Sequence, residues 1–284
     1  MTFNLVAKVF CLVAALVAAP LVPVKSLAAP ETGMLNTEDF LSDKDAICAI
    51  GNDLSKGCDA IRSREIVDAS QEPWISIGRV NYAGRRTRSH CTGTLVSERL
   101  VLTASHCLYN HHQKSWIPAR EIRFVAGFQR GRAQGVSRVA KYILDPVHDL
   151  DSRDFRAAPG QDWALLVLHR PIGKDVGYLR PVALSPGDLG RRDAFLAGYS
   201  GLRQFVLTIA TDCGRAEPRP ETRTFTQTCS AMRGDSGAPI LTRNGGEVQV
   251  VGVLSGIAIR PSGIESIGIP ISVFNDALRS AMNE

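Results

Sequence analysis

The chain has 284 residues, 44% of them hydrophobic and 21% charged, which suits one large globular domain or two small ones. Its formal net charge of +5 is only mildly basic. The arginines are scattered and their densest cluster, "RRTRSH" from Arg85 to His90, reads as a solvated loop, so no nucleic-acid partner is expected.

In chain order, residues 1–28 read as a signal peptide. Lys8 gives a weak positive start, "VFCLVAALVAAPLV" an apolar stretch, and "SLA" ending at Ala28 the small residues a signal peptidase reads. Pro20 and Pro23 interrupt the apolar run and Lys25 shortens it, which argues against a transmembrane anchor. Phe10 before Cys11 argues against a lipoprotein signal. The mature protein is therefore expected to be exported, secreted or periplasmic, with no stable membrane insertion.

Of the 7 cysteines, Cys11 lies in the signal segment. The remaining even set after a signal peptide points to disulfides. Sequence-local pairs would be Cys48 with Cys58, Cys91 with Cys107, and Cys213 with Cys229, one of roughly fifteen connectivities. There is no CxxC and no His/Cys cluster at ligand spacing, so no metal and no cofactor are expected.

Residues 29–65 are polar with little periodicity and read as a propeptide or N-terminal extension. From Trp74 onward the pattern changes to short β-type runs: "WISIGRV", "CTGTLVS", "RLVLTAS", "EIRFVAG", "VSRVAKYIL", "WALLVL", "RPVAL", "DAFLAGY", "FVLTIA", "APILT", "EVQVVGVLSGIAI" and "IGIPISVF". Many short strands suggest an all-β barrel or sandwich. Only "VFNDALRSAMNE" has helical spacing, with Phe274, Leu278 and Met282 about a turn apart.

Within "CSAMRGDSGAPIL", Ser236 sits among ordinary turn residues and by itself needs no function. As a nucleophile it would need a base, a group to orient that base, and donors for an oxyanion. The best base is His106, which follows a strand-like run in "VLTASHC". His111 and His112 lie in a polar loop, and His90, His148 and His169 have no distinctive surroundings. The best orienting carboxylate is Asp162, because an acid heading the buried apolar run of "GQDWALLVL" is costly unless paired. Asp149, Asp151 and Asp154 lie in a charged loop that explains them better as solvated surface.

"TASHC", "DWALL" and "GDSGAP", in that order, resemble the three signatures of the chymotrypsin/trypsin-like serine proteases, and "CTGTLVS" resembles the strand before the histidine loop of that family. The resemblance covers roughly residues 66–284. The rival α/β-hydrolase elbow would need glycine two residues after the serine, where Ala238 stands. The resemblance implies two packed antiparallel six-stranded β-barrels, about residues 66–175 and 176–284, with a short C-terminal helix. It implies Ser236 as nucleophile, His106 as general base, Asp162 as its orienting partner, and the Gly234 and Ser236 N–H groups as the oxyanion hole. Ser255 matches a serine beside the triad aspartate.

It further implies a Cys91–Cys107 disulfide beside the histidine. Met232 stands where trypsin-like enzymes often have a cysteine, so a Cys213–Cys229 pair resembles the bacterial branch that includes glutamyl endopeptidases. Cys48 and Cys58 would staple the extension. Ser230 falls at the floor of the specificity pocket and Gly268 at a small residue lining it. Ser230 is no acid, and Leu254 replaces the histidine associated with glutamate preference, so an uncharged, apolar P1 residue is expected. In zymogens of the family a freed Ile-Val amino terminus pairs with the aspartate before the nucleophile. Ile66 and Val67 could supply it for Asp235, or "EIVDAS" is simply the entry strand. The function expected is an exported, monomeric serine endopeptidase acting on protein or peptide substrates. The alternatives are a catalytically silent binding module of the same fold and a serine esterase.

Overall fold

The computed structural model describes residues 55–83, 88–151, 155, 157–211, 213–260 and 263–283. The expected signal peptide, Cys48 and most of the extension lie outside these residues. Cys58 is disulfide-bonded, and its expected partner Cys48 is among those not described.

The first half is a closed barrel of six antiparallel strands: β2 (Ile77–Ala83), β3 (Arg88–Leu95), β4 (Leu100–Thr103), β7 (Ile122–Ala126), β8 (Gly135–Leu144) and β9 (Ala164–Leu168), paired in the order β2-β3-β4-β9-β8-β7. In β7 the side chains of Ile122, Phe124 and Ala126 are buried and Arg123 is exposed, the alternation of a strand with one wet face. In β4 all four residues are buried. Val101 faces the barrel interior with Leu95, Phe124 and Leu166. Leu100 and Leu102 face a second core shared with Leu241, Val250 and Ile269 of the other half. A strand buried on both faces reads as a continuous apolar run, which is why "LVL" and "ALLVL" carry no alternation. Closure brings β2 against β7 tightly: a Cβ on Gly78 would collide with the Val125 carbonyl and lie 2.8 Å from the Phe124 ring.

The second half has β11 (Ala194–Gly198), β12 (Thr208–Ala210), β14 (Thr224–Gln227), β15 (Pro239–Asn244), β16 (Glu247–Arg260) and β17 (Gly263–Pro270), in the order β12-β11-β15-β16-β17-β14. These six strands surround one core containing Leu196, Ala210, Phe225, Ile240 and Val251. Among the described residues the two ends of this order, β12 and β14, are not hydrogen-bonded to each other. β1 (Glu65–Ile66) extends the edge at β12 and β13 (Glu217–Arg219) the edge at β14. Two barrel-like halves packed on a shared core, as the sequence leads one to expect, are thus present, with hydrogen-bond closure only in the first. The C-terminal helix, Ile271–Met282, begins two residues before the helical spacing predicts. Phe274 and Leu278 are buried in the shared core as expected, but Met282 is 40% exposed and Ile271 and Ala281 complete the buried face instead.

The extension differs most from its sequence reading. Residues Ser55–Ser63 form a helix, α1, whose Cys58 and Ile61 are buried. Its buried face rests on Cys58 and Ile61, three residues apart, a pattern too short to stand out from the polar sequence around it. The strand pattern of the sequence also gives no sign of β14, "TFTQ", because its buried positions include Thr224 and Gln227 rather than branched aliphatics.

The Phe274 ring stacks on Trp163 of the first half, with centroids 4.9 Å apart. Phe274→Ala is expected to lower unfolding free energy by about 3–5 kcal/mol in urea titrations followed by tryptophan fluorescence. A loss below about 1 kcal/mol would show that this stack does not fasten the helix.

Candidate active site

β4 and β9 pair with Thr103 opposite Ala164. His106 follows β4 in a 3-10 turn, Ser105–Leu108, and Asp162 precedes β9 at the end of another, Pro159–Gln161. Antiparallel pairing therefore delivers both side chains to the same end of the first barrel. His106 Nδ1 lies 2.7 Å from Asp162 Oδ2. A carboxylate can only accept, so Nδ1 carries a proton, and in the neutral ring Nε2 is then left with a lone pair. The same carboxylate accepts from the His106 N–H and the Ser105 hydroxyl, both at 2.8 Å, and from the Ser255 hydroxyl at 2.6 Å. Burial by itself pushes the Asp162 carboxyl up, but the adjoining imidazole and the hydrogen bonds from His106 and Ser255 outweigh it and hold the carboxyl below its usual range.

Ser255 reaches Asp162 from the other half. β16 and β17 pair Leu254 with Gly268 and Gly256 with Ile267, so Ser255 is the extra residue of a bulge. Bulges re-aim side chains, and this one marks the place where β16 meets the carboxylate.

Ser236 lies in the turn before β15 and is partly exposed. Its turn is pinned from both halves. Thr92 of β3 donates its N–H to the Ser236 carbonyl at 2.9 Å and its hydroxyl to the Gly234 carbonyl at 2.8 Å. Gly237 donates to the Leu254 carbonyl at 2.8 Å, one residue before Ser255. Gly234 and Gly237 have φ of +95° and +77°. A Cβ on Gly234 would collide with the Tyr199 carbonyl, and one on Gly237 with the Thr103 hydroxyl and the Thr92 carbonyl. Among the described residues the backbone N–H groups of Gly234 and Ser236 donate to no backbone carbonyl.

A disulfide joins Cys91 to Cys107, next to His106, and a second joins Cys213 to Cys229 at the start of the Ser236 segment. Cys91, His106 and Cys107 come within metal-ligand spacing, but both sulfurs are in the disulfide and offer no thiolate.

The remaining expected site residues divide. Ser230 is partly buried near the base of the turn, and its carbonyl accepts from the Arg64 guanidinium. At Gly268 the Cβ direction is filled by Phe225 and Ile240 of the second core, so a side chain there would collide with them. Its pairing with Leu254 fixes that direction. Asp149 and Asp151 are exposed, and Asp154 is outside the described residues. Ile66 lies in β1 opposite Thr208 and is 41% exposed, while Asp235 is paired with Arg64 instead. In the unbroken chain Glu65–Ile66 of "EIVDAS" forms the two-residue strand that pairs with β12.

Three residues that position the site were not singled out from sequence: Thr92, Ser105 and Arg64. Nothing local in "CTGTLVS" marks Thr92 as the residue that holds the Ser236 turn.

His90, beside Cys91, has Nε2 3.0 Å from the Tyr199 carbonyl, so Nε2 carries the proton. Burial and then the Arg79 charge pull its pKa down from 6.5 to about 4. An unfolded chain takes up this proton near the ordinary value and the folded one does not. Stability is therefore full above pH 6.5 and falls as pH drops toward about 4, by up to about 3 kcal/mol. His90→Gln is expected to flatten denaturation midpoints across that window. An unchanged pH dependence would contradict a neutral buried His90.

A family model described as Trypsin matches residues 64–278. The chain is similar to tissue-type plasminogen activator from Homo sapiens, with 24% identity over 260 residues covering 78% of this chain and 44% of that protein. It is also similar to cathepsin G from Mus musculus, with 31% identity over 176 residues covering 55% of this chain and 62% of that one. It thus spans about half the length of the curated relatives it matches. Among solved structures, a Glu endopeptidase in complex with MPD aligns with TM-score 0.62 and 22% identity over 78% of this chain and 97% of its own. The protease Anisep from Arthrobacter nicotinovorans aligns with TM-score 0.56 and 19% identity over 73% and 97%. These structural likenesses concern the fold.

Proposed function

The chain belongs to the trypsin family, and from that premise we propose that it is an exported serine endopeptidase that uses Ser236, His106 and Asp162. The observation that carries this reading is the His106 Nδ1–Asp162 Oδ2 contact of 2.7 Å, which leaves Nε2 as a base. Ser236 Oγ attacks the scissile carbonyl while Nε2 takes its proton. The carbonyl oxygen gains the negative charge and is held by the N–H groups of Gly234 and Ser236. The imidazolium then protonates the leaving amine, the C–N bond breaks, and an acyl ester on Ser236 remains. Water deprotonated by Nε2 attacks that ester and restores the serine hydroxyl. Asp162 holds the ring's tautomer throughout and stabilises its charged form.

The P1 side chain is proposed to be uncharged and apolar. Ser230 and Ala231 offer no charge, Met232 and Ile257 are apolar neighbours of that turn, and the Arg64 guanidinium is matched by Asp235. Residues 1–28 are proposed as a signal peptide, which agrees with two disulfides in the described chain. No helix among the described residues is long and apolar enough to cross a membrane.

A fluorophosphonate is expected to label the protein at Ser236, with labelling abolished in Ser236→Ala and His106→Ala. On peptides, either substitution should lower kcat by about 10⁶-fold and Asp162→Asn by about 10⁴-fold. Absence of labelling in the intact protein would favour a silent binding module, and turnover of esters without peptides would favour an esterase. Peptides with P1 Leu or Phe should be cut faster than those with Arg or Glu, and the reverse order would refute the pocket assignment.

A further inference from the structure

Asp235, next to the proposed nucleophile, is fully buried, and a buried carboxylate is costly unless it is paired or hydrogen-bonded. Its partner is Arg64, whose Nη1 lies 3.0 Å from Oδ1, with side-chain exposures of 2% and 0%. The other terminal nitrogen of the same guanidinium donates to the Ser230 carbonyl. Arg64 thus bridges both ends of the segment from Ser230 to Asp235, which contains Gly234. The second Asp235 oxygen accepts from the Met232 N–H at 3.1 Å, and the Asp235 N–H donates to the Met232 carbonyl at 3.0 Å. The carboxylate is seated so closely on β11 that a Cβ at Gly198 would collide with it.

Arg64 is delivered by structure on both sides. Before it, α1 buries Ile61, and Cys58 packs with Met232, Ile257 and Ile264. Arg203 donates to the Arg62 carbonyl. After it, β1 pairs with β12, and the Val67 N–H donates to the Leu207 carbonyl at 3.1 Å. A cut before Ile66 would free an amine on a strand residue that points partly to solvent, while its would-be partner is already neutralised.

We propose that Arg64 is a positioning residue that holds the Ser230–Ser236 turn in its oxyanion-binding shape in the unbroken chain, so that activity needs no cleavage between Arg64 and Ile66. The extension near α1 is then part of the working enzyme. This rests on the serine endopeptidase reading above.

The test uses the full chain secreted under oxidising conditions, with a fluorophosphonate as probe and intact mass to locate the N-terminus of each labelled molecule. Labelled molecules are expected to retain Arg64 joined to Ile66. Arg64→Ala should slow labelling and kcat at least 100-fold with a smaller change in KM, Arg64→Lys should recover at least tenfold, and added guanidinium should partly rescue Arg64→Ala. Ile66→Gln should stay within about twofold of the parent. Circular dichroism of Arg64→Ala separates a lost turn from a lost fold. If that variant does not fold, the mass of the labelled parent and the Ile66→Gln result still decide. Labelling confined to chains that begin at Ile66, or a folded Arg64→Ala that labels at the parent rate, would overturn the proposal. Failure of both cut and uncut forms to label would instead contradict the endopeptidase reading, and the proposal with it.

Discussion

Asp162 is a carboxylate almost wholly removed from water, and the site is organised around satisfying it. It accepts from the Ser105 hydroxyl, the His106 N–H and the His106 ring on one side, and from the Ser255 hydroxyl on the other. The first three donors belong to the turn after β4 and the fourth to β16. A buried charge left short of partners is strongly destabilising, so the carboxylate requires the two halves to meet at this point. The requirement also fixes which nitrogen of the His106 ring meets the carboxylate. Once Nδ1 is committed to Asp162, the other ring nitrogen is the one left for the base role proposed above.

Thr92 does the complementary task for the serine turn. It accepts from the Tyr199 N–H at 3.0 Å, donates to the Gly234 and Ser236 carbonyls, and its own carbonyl accepts from the Thr103 hydroxyl at 2.8 Å. Its neighbour Cys91 is bonded to Cys107, beside His106. One short stretch of β3 therefore touches both the base and the turn that presents the proposed nucleophile. The shared core, with Leu100, Leu102 and Trp163 from one half and Leu241, Val250 and Ile269 from the other, gives that stretch a rigid backing.

Much of this was legible in the sequence, and its limits have a physical cause. The runs around β4, β9, β11, β15 and β16 show their strand character in the residues themselves, because burial on one or both faces selects branched and aliphatic side chains. His106, Asp162 and Ser236 stood out because each sits at a strand end or in a glycine turn whose local sequence is unusual. Arg64 and Thr92 did not stand out, because their meaning lies in partners far along the chain, at separations of 171 residues for Arg64–Asp235 and 142 for Thr92–Gly234. Gly268 has a related limit. A glycine in a strand announces a close approach but not the face on which it occurs, and here that face is the core against Phe225. Likewise the strand pattern could not reveal that the second half is extended at its edges by β1 and β13.

The central claim is that Ser236, His106 and Asp162 act as one unit, and a mutant cycle on peptide hydrolysis tests it most directly. If they do, Ser236→Ala combined with His106→Ala will lose no more activity than either change alone, because each already abolishes the same step. Losses that multiply in the double variant would mean that the two residues act independently, and would contradict the account.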